Sequence, residues 1–203
     1  MELTADRVTQ LAAEYVESEP LSAVEQEHVA MLPETFASGE YGRRDVEWVV
    51  QWRFRRYLGA YPDRERRDAE QRFRGNDFET VLDTLSTVAE GPADTRTDLQ
   101  QLTALDGVDV PIASAFLQFT SPERYVAVDH RTWRVLVETG DLDDSYPDTP
   151  VIEDYIRFDD ACRRLTDQFD VDAWTLYRAL WRCWQTAFGD EPHDTETPSV
   201  DRT

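Results

Sequence analysis

The sequence predicts an all-α protein, and three observations carry that prediction. Apolar residues recur at i, i+3, i+4 and i+7 in the long segments. Pro20, Gly39, Gly42, Gly91-Pro92, Gly107, Pro122 and Gly140 fall between those segments. No stretch alternates with the period of two expected of a half-buried strand, and there is no repeat or low-complexity segment. The 203 residues allow one domain, or at most two small ones. A hydrophobic content of 40% with 11% aromatic residues suffices for a core and excludes global disorder.

The elements follow in order. Leu3 to Glu19 reads as a helix with Thr4 as N-cap and Val8, Leu11, Ala12, Tyr15 and Val16 as its stripe, ended by Pro20. Ser22 can cap a second helix carrying Val24, His28, Met31 and Leu32, with His28 a core or boundary residue. Asp45 to Leu58 is apolar nearly all round, through Val46, Val49, Val50, Phe54 and Tyr57 flanked by Trp48 and Trp52, and is expected at the centre of the fold. Arg53 falls inside that apolar arc and so needs a partner, either an ion pair tying two helices together or a ligand. Residues 61–76 carry five Arg interleaved with acids at helical spacing, a weak pattern for a DNA patch and the default pattern of a solvated, salt-bridged face.

Asn76 or Asp77 caps a helix carrying Phe78, Val81, Leu82, Leu85 and Val88. Short helices follow over Thr97 to Leu105 and over Val110 to Phe119, where Pro111 lies in the first turn and its missing N–H costs nothing. Asp129 to Thr139 is helical up to Gly140, and two long helices cover about 151–168 and 172–188. In the last, Trp174, Tyr177, Trp181, Trp184 and Phe188 form an aromatic seam. The expected organisation is a single domain over 1–188, with the hairpin region at about 97–139, and an acidic disordered tail over 189–203.

The net charge is −21, and all 21 basic residues are Arg. Without Lys no mechanism can use a lysine side-chain amine, whether as a lysine Schiff base, a phosphate-loop Lys or a Lys general base. The acid excess argues against a general polybasic grip on nucleic acid or membrane, and with zero Lys it points to adaptation to high salt. Cys162 and Cys183 read as two buried free thiols, too few for a four-cysteine iron–sulfur cluster or zinc site. His28, His130 and His193 show no ligand spacing, so no cofactor or metal is implied. The first residues do not form a signal peptide, no apolar run reaches a membrane span, and a cytoplasmic protein is expected.

One stretch carries chemistry: LTALDGVDVPIASAFLQFTSPERYVAVDHRTWRVL, residues 102–136. A short helix ends at a glycine-centred turn and a second begins three residues on, so backbone N–H groups at a helix N-terminus are placed to hold a phosphate without a basic side chain. Leu105-Asp106-Gly107-Val108-Asp109-Val110-Pro111-Ile112-Ala113, followed by Tyr125-Val126-Ala127-Val128-Asp129, resembles the hairpin and the Val-Asp of the helix-hairpin-helix DNA glycosylases of base-excision repair. The close likeness covers about 35 residues. It implies an all-α glycosylase-like fold that binds duplex DNA through Gly107, Val108, Asp109 and Val110, and that carries its catalytic Asp at Asp129. Arg124, Arg131 and Arg134 are the local candidates for phosphate contacts. A cleft is expected between an N-terminal helical part and the hairpin part, with Asp129 at its mouth.

Two departures from the family matter. Its second hairpin glycine is Asp109 here, where a carboxylate repels phosphate but is well placed to cap the next helix. The catalytic Lys of its bifunctional members aligns with Pro111, which excludes strand cleavage through a lysine Schiff base and leaves a monofunctional N-glycosylase using Asp129, without lyase activity, as the enzyme the resemblance implies. Asp129 is equally a good N-cap, a structural role of about 1 kcal/mol. The alternative is therefore a non-enzymatic helical module, for DNA or protein, that keeps the fold without the chemistry. An accessible Asp129 favours the enzyme. A buried one, or an acidic hairpin face, favours the module.

Overall fold

The computed structural model describes residues 2–56, 61–91 and 94–189, and among these every regular element is an α-helix. In chain order they are α1 (Ala5–Ser18), α2 (Ser22–Ser38), α3 (Arg43–Arg55), α4 (Asp63–Gly75), α5 (Phe78–Ala89), α6 (Thr95–Thr103), α7 (Val110–Thr120), α8 (His130–Thr139), α9 (Ile152–Phe169) and α10 (Ala173–Phe188). The expectations for Tyr57, Leu58 and the tail from residue 190 lie outside the described residues.

The acid-rich composition is put to local use. Asp77, Asp94, Asp109, Asp129 and Asp172 each accept a backbone N–H in the first turn of the helix they precede, and Thr4 does the same for α1. Asp94 explains why α6 starts two residues before the Thr97 expected from sequence: its carboxylate accepts from the Thr97 amide at 2.9 Å. Gly39 and Gly140 close α2 and α8 in the left-handed region.

One core cluster runs from Leu3 to Trp184. The α10 helix packs on α1, α8 and α9, and its Trp174, Tyr177, Trp181 and Trp184 are buried as the seam requires. The α7 helix touches α2, α3, α5, α6 and α9, and every residue from Val110 to Thr120 is buried. It is therefore α7, rather than α3, that is enclosed on all sides. The α3 helix keeps an outer edge through Arg44, Gln51 and Arg55.

Three side-chain expectations change. Val16 stands at the edge of the α1 stripe and is 49% exposed, while Val8, Leu11, Ala12 and Tyr15 are buried. The α2 helix is rotated from the face expected: its inward line is Glu25, Val29, Leu32 and Phe36, and Met31 is exposed. Ser22 does not cap it; Leu21 holds the N-cap position and the Ser22 hydroxyl donates to Val16 O. His28 is a boundary residue, stacked on Trp48 with ring centroids 3.5 Å apart. The charged α4 is a salt-bridged face, with Asp63 pairing Arg66 and Arg67, Glu70 pairing Arg66, and Asp68 pairing Arg72. Cys162 and Cys183 are free and buried. Among the described residues no helix is long and apolar enough to cross a membrane.

Candidate functional site

The segment that delivers Asp129 is non-helical and buried from Tyr125 to Val128. Its backbone polar groups need partners inside the protein, and neighbouring helices supply them. Ser114 Oγ accepts from Val128 N at 3.0 Å, Gln118 Oε1 accepts from Ala127 N at 2.8 Å, and Tyr155 donates its hydroxyl to Val126 O at 3.1 Å. Ser114 and Gln118 lie four apart on α7, which is apolar elsewhere up to its last residue, Thr120, and form a polar pair aimed at this loop.

Asp129 is the N-cap of α8. Its Oδ1 accepts from the amides of Arg131 and Thr132, both at 2.9 Å, and Thr132 Oγ1 accepts from Asp129 N at 3.1 Å. The residue is only 4% exposed. Burial pulls its carboxyl upward, but the charges of Arg131, His130 and Arg53 and the Thr132 amide outweigh that and hold it below the ordinary carboxylate value. Arg131 seals this corner. Its Nη1 lies 3.9 Å from Asp129 Oδ2 and donates to Arg56 O at 2.8 Å, at the C-terminus of α3, while its guanidinium lies over Trp181 and Trp184 of α10. Arg53, the arginine in the apolar arc of α3, is buried with its charge acting on Asp129.

Beside this corner lies a second ionic centre that the sequence did not disclose. Arg56 Nη1 sits 3.3 Å from Glu19 and 3.1 Å from Glu25, with all three side chains almost fully buried. Tyr15 and Trp52 also donate to Glu25, at 2.6 and 2.7 Å, and Trp181 donates to Glu19 at 3.0 Å. Burial alone would lower the Arg56 guanidinium, but Tyr177, Tyr15, Glu25 and Glu19 together hold it above its ordinary value. Burial, with Tyr177 adding to it, pushes the Tyr15 phenol well up. Residues from α1, α2, α3 and α10 thus meet where a cleft beside Asp129 was expected.

The 107–110 turn is built into the protein body. Asn76, just beyond α4, donates its side-chain amide to Asp106 O and accepts from Asp106 N, both at 2.9 Å. Val108 N donates to Leu105 O at 3.2 Å, and Ile112 N donates to the Asp109 carboxylate at 2.9 Å. Gly107 has φ +78°, and a Cβ there would stand 2.5 Å from Ala69 O and 2.6 Å from Phe73 N. The glycine is needed because the α4 backbone comes this close. A groove of about 320 Å³ beside the turn is lined by Glu65, Asp68, Arg72 and Asp109 around Phe54 and Tyr61. Three of its four charged residues are acids.

The remaining candidates are dispersed. Arg124 lies half-buried over the Tyr125 ring and donates to Thr95 Oγ1 at 3.0 Å. Arg134 is half-buried over Phe188. Trp133 is buried, its indole donating to Asp144 O at 2.7 Å. Among the described residues no group of three or more His, Cys, Asp or Glu is placed to hold a metal ion.

Arg124 also borders a cluster of two buried acids, Asp98 and Asp159, with Thr95 and Tyr125. Desolvation is the largest influence on Asp159; Arg163 and Arg124 offset it only in part, and its carboxyl is pushed up to about 6. A carboxyl raised in the folded state stabilises as the neutral acid: its contribution is complete below the unfolded value and lost as pH rises through about 6. Asp159→Asn is therefore expected to raise stability at pH 7 by about 1–3 kcal/mol and to remove the dependence between pH 4 and 6. Thermal melts of both proteins across that range check it, and equal slopes would refute it.

Comparison of the chain with protein-family models, with curated proteins and with solved structures finds no match.

Proposed function

We propose that the chain is a non-enzymatic DNA-binding module on a helix-hairpin-helix, glycosylase-like plan, in which the arrangement around Asp129 serves as structure. The burial of Asp129 carries this assignment. A carboxylate that is to stabilise an oxocarbenium ion or orient a water must reach the sugar of a flipped nucleotide. This one has an oxygen committed to two amides and its charge committed to Arg131, with α3 and α10 packed around them. DNA is the partner that the likeness of residues 102–136 implies. One observation favours the monofunctional glycosylase instead: Asp129 is held ionised, the form that reaction needs.

A base-release assay on duplexes carrying a panel of lesions, in molar KCl, separates the two. Neither the wild type nor Asp129→Asn is expected to release base. Asp129→Asn should lose about 1–3 kcal/mol, because the charge facing buried Arg131 disappears. A carboxyl held low stabilises above its unfolded value and loses that contribution as pH falls, so the two melting temperatures should converge in acid. Base release by the wild type that vanishes in a folded Asp129→Asn protein makes the chain an enzyme.

A further inference from the structure

Charge is distributed unevenly along this chain. Residues 43–76 hold ten Arg and six acids, a local charge of +4, whereas the rest holds eleven Arg and 36 acids, or −25. Arg53 and Arg56 are buried; the other eight arginines are exposed or half-exposed and still outnumber the acids. Those acids are largely neutralised in place. Asp63, Asp68 and Glu70 are paired within α4, Glu47 of α3 is bridged at 3.1 Å by Arg74 of α4, and Asp45 accepts from Gly42 N at the start of α3.

Helical spacing aligns the arginines: Arg64, Arg67, Gln71 and Arg74 share the outer face of α4, and Arg44, Gln51 and Arg55 share that of α3, with Arg67 and Arg74 already engaged by Asp63 and Glu47. The Arg74–Glu47 bridge fixes the two faces side by side. Arg44, Arg55 and Arg64 form no ion pair among the described residues, and Arg64 and Arg67 line a shallow depression of about 510 Å³ together with Gln71 and with Asp63 and Asp68, which are paired to Arg66, Arg67 and Arg72.

We infer that the outer face of the α3–α4 pair is the surface that grips the phosphodiester backbone of duplex nucleic acid, in place of the 107–110 turn. This rests on the DNA-binding role proposed above. A polyanion is repelled by the remainder of the molecule, so the positive face also sets its orientation. Guanidinium groups suit the contact because they match phosphate oxygens bidentately, and Gln51 and Gln71 add neutral donors between them. Backbone contacts of this kind carry position rather than sequence.

The test is fluorescence anisotropy with a labelled DNA duplex and a matched RNA duplex, titrated with KCl, with circular dichroism confirming the fold at each salt. Three proteins are compared. The first is the wild type. The second carries Arg44→Gln, Arg55→Gln and Arg64→Gln, which break no ion pair. The third is a control with the same change in net charge, Arg96→Gln, Arg157→Gln and Arg164→Gln. The face variant is expected to bind at least about tenfold more weakly at the lowest salt, with its plot of log K against log [KCl] shallower by about 3. The control should stay near wild type. Equal losses in both triples, or none in the face variant, overturn the inference while leaving DNA binding intact. No binding of either duplex by the wild type removes the DNA-binding role itself. Preference for RNA over DNA keeps the face and changes the partner. Concentration-dependent association of the wild type that the face variant lacks assigns the face to a second copy of the chain and overturns the inference.

Discussion

Arg56→Met is expected to cost about 3–5 kcal/mol, which leaves a domain of this size close to unfolding. The side chain occupies the gap between Glu19 and Glu25 and lies 3.6 Å over the Trp181 ring. Methionine fills much of the volume but leaves two buried carboxylates without a cation. Denaturant titrations of the variant and the wild type at neutral pH check this, and a loss below about 1 kcal/mol counts against it. Replacing the acids as well is not expected to restore full stability. The Tyr15 hydroxyl and the indole N–H groups of Trp52 and Trp181 would then be buried without acceptors.

Gly107→Ala has the second largest expected effect, about 2–5 kcal/mol. It combines left-handed strain of about 1–2 kcal/mol with a clash that the backbone must relieve. The obstructing atoms, Ala69 O and Phe73 N, belong to the α4 backbone, so no side-chain rotation clears them. Gly140 is the internal reference: its φ is +83°, and a Cβ there meets nothing within 4 Å. Gly140→Ala should therefore show strain alone, about 1–2 kcal/mol. Chemical denaturation of the two variants separates the terms, and equal losses would show that α4 does not constrain the turn.

Helix positions were legible in the sequence because burying one face imposes a 3.6-residue period that caps and glycines then truncate. The Asp109 cap and the α10 seam were legible for the same local reasons. The face of α2 was not. Periodicity assigns charge to solvent, and Glu25 lies in the core because Tyr15, Trp52 and Arg56, from other parts of the chain, supply its partners. Arg53 is buried as its place in the apolar arc requires, whereas the enclosed ion pairs of Arg56 with Glu19 and Glu25, three residues on, left no local signal. The bond between Asn76 and Asp106 joins residues 30 apart, and no local pattern marks it. Ser114 and Gln118 did leave a signal, as the polar pair in an apolar helix. Around Asp129, residue types were readable from the chain, whereas accessibility was not, since it depends on how α3 and α10 close over α8.

The complete enclosure of α7 bears on how the molecule opens. A helix with one solvent face can fray or detach while the remainder stays folded, and its amide protons then exchange with solvent through small local fluctuations. The α7 helix has no such face, and five other helices rest on it. Its amides should be among the slowest in the molecule to exchange, at rates set by global unfolding. Loss of α7 would then coincide with loss of the whole structure.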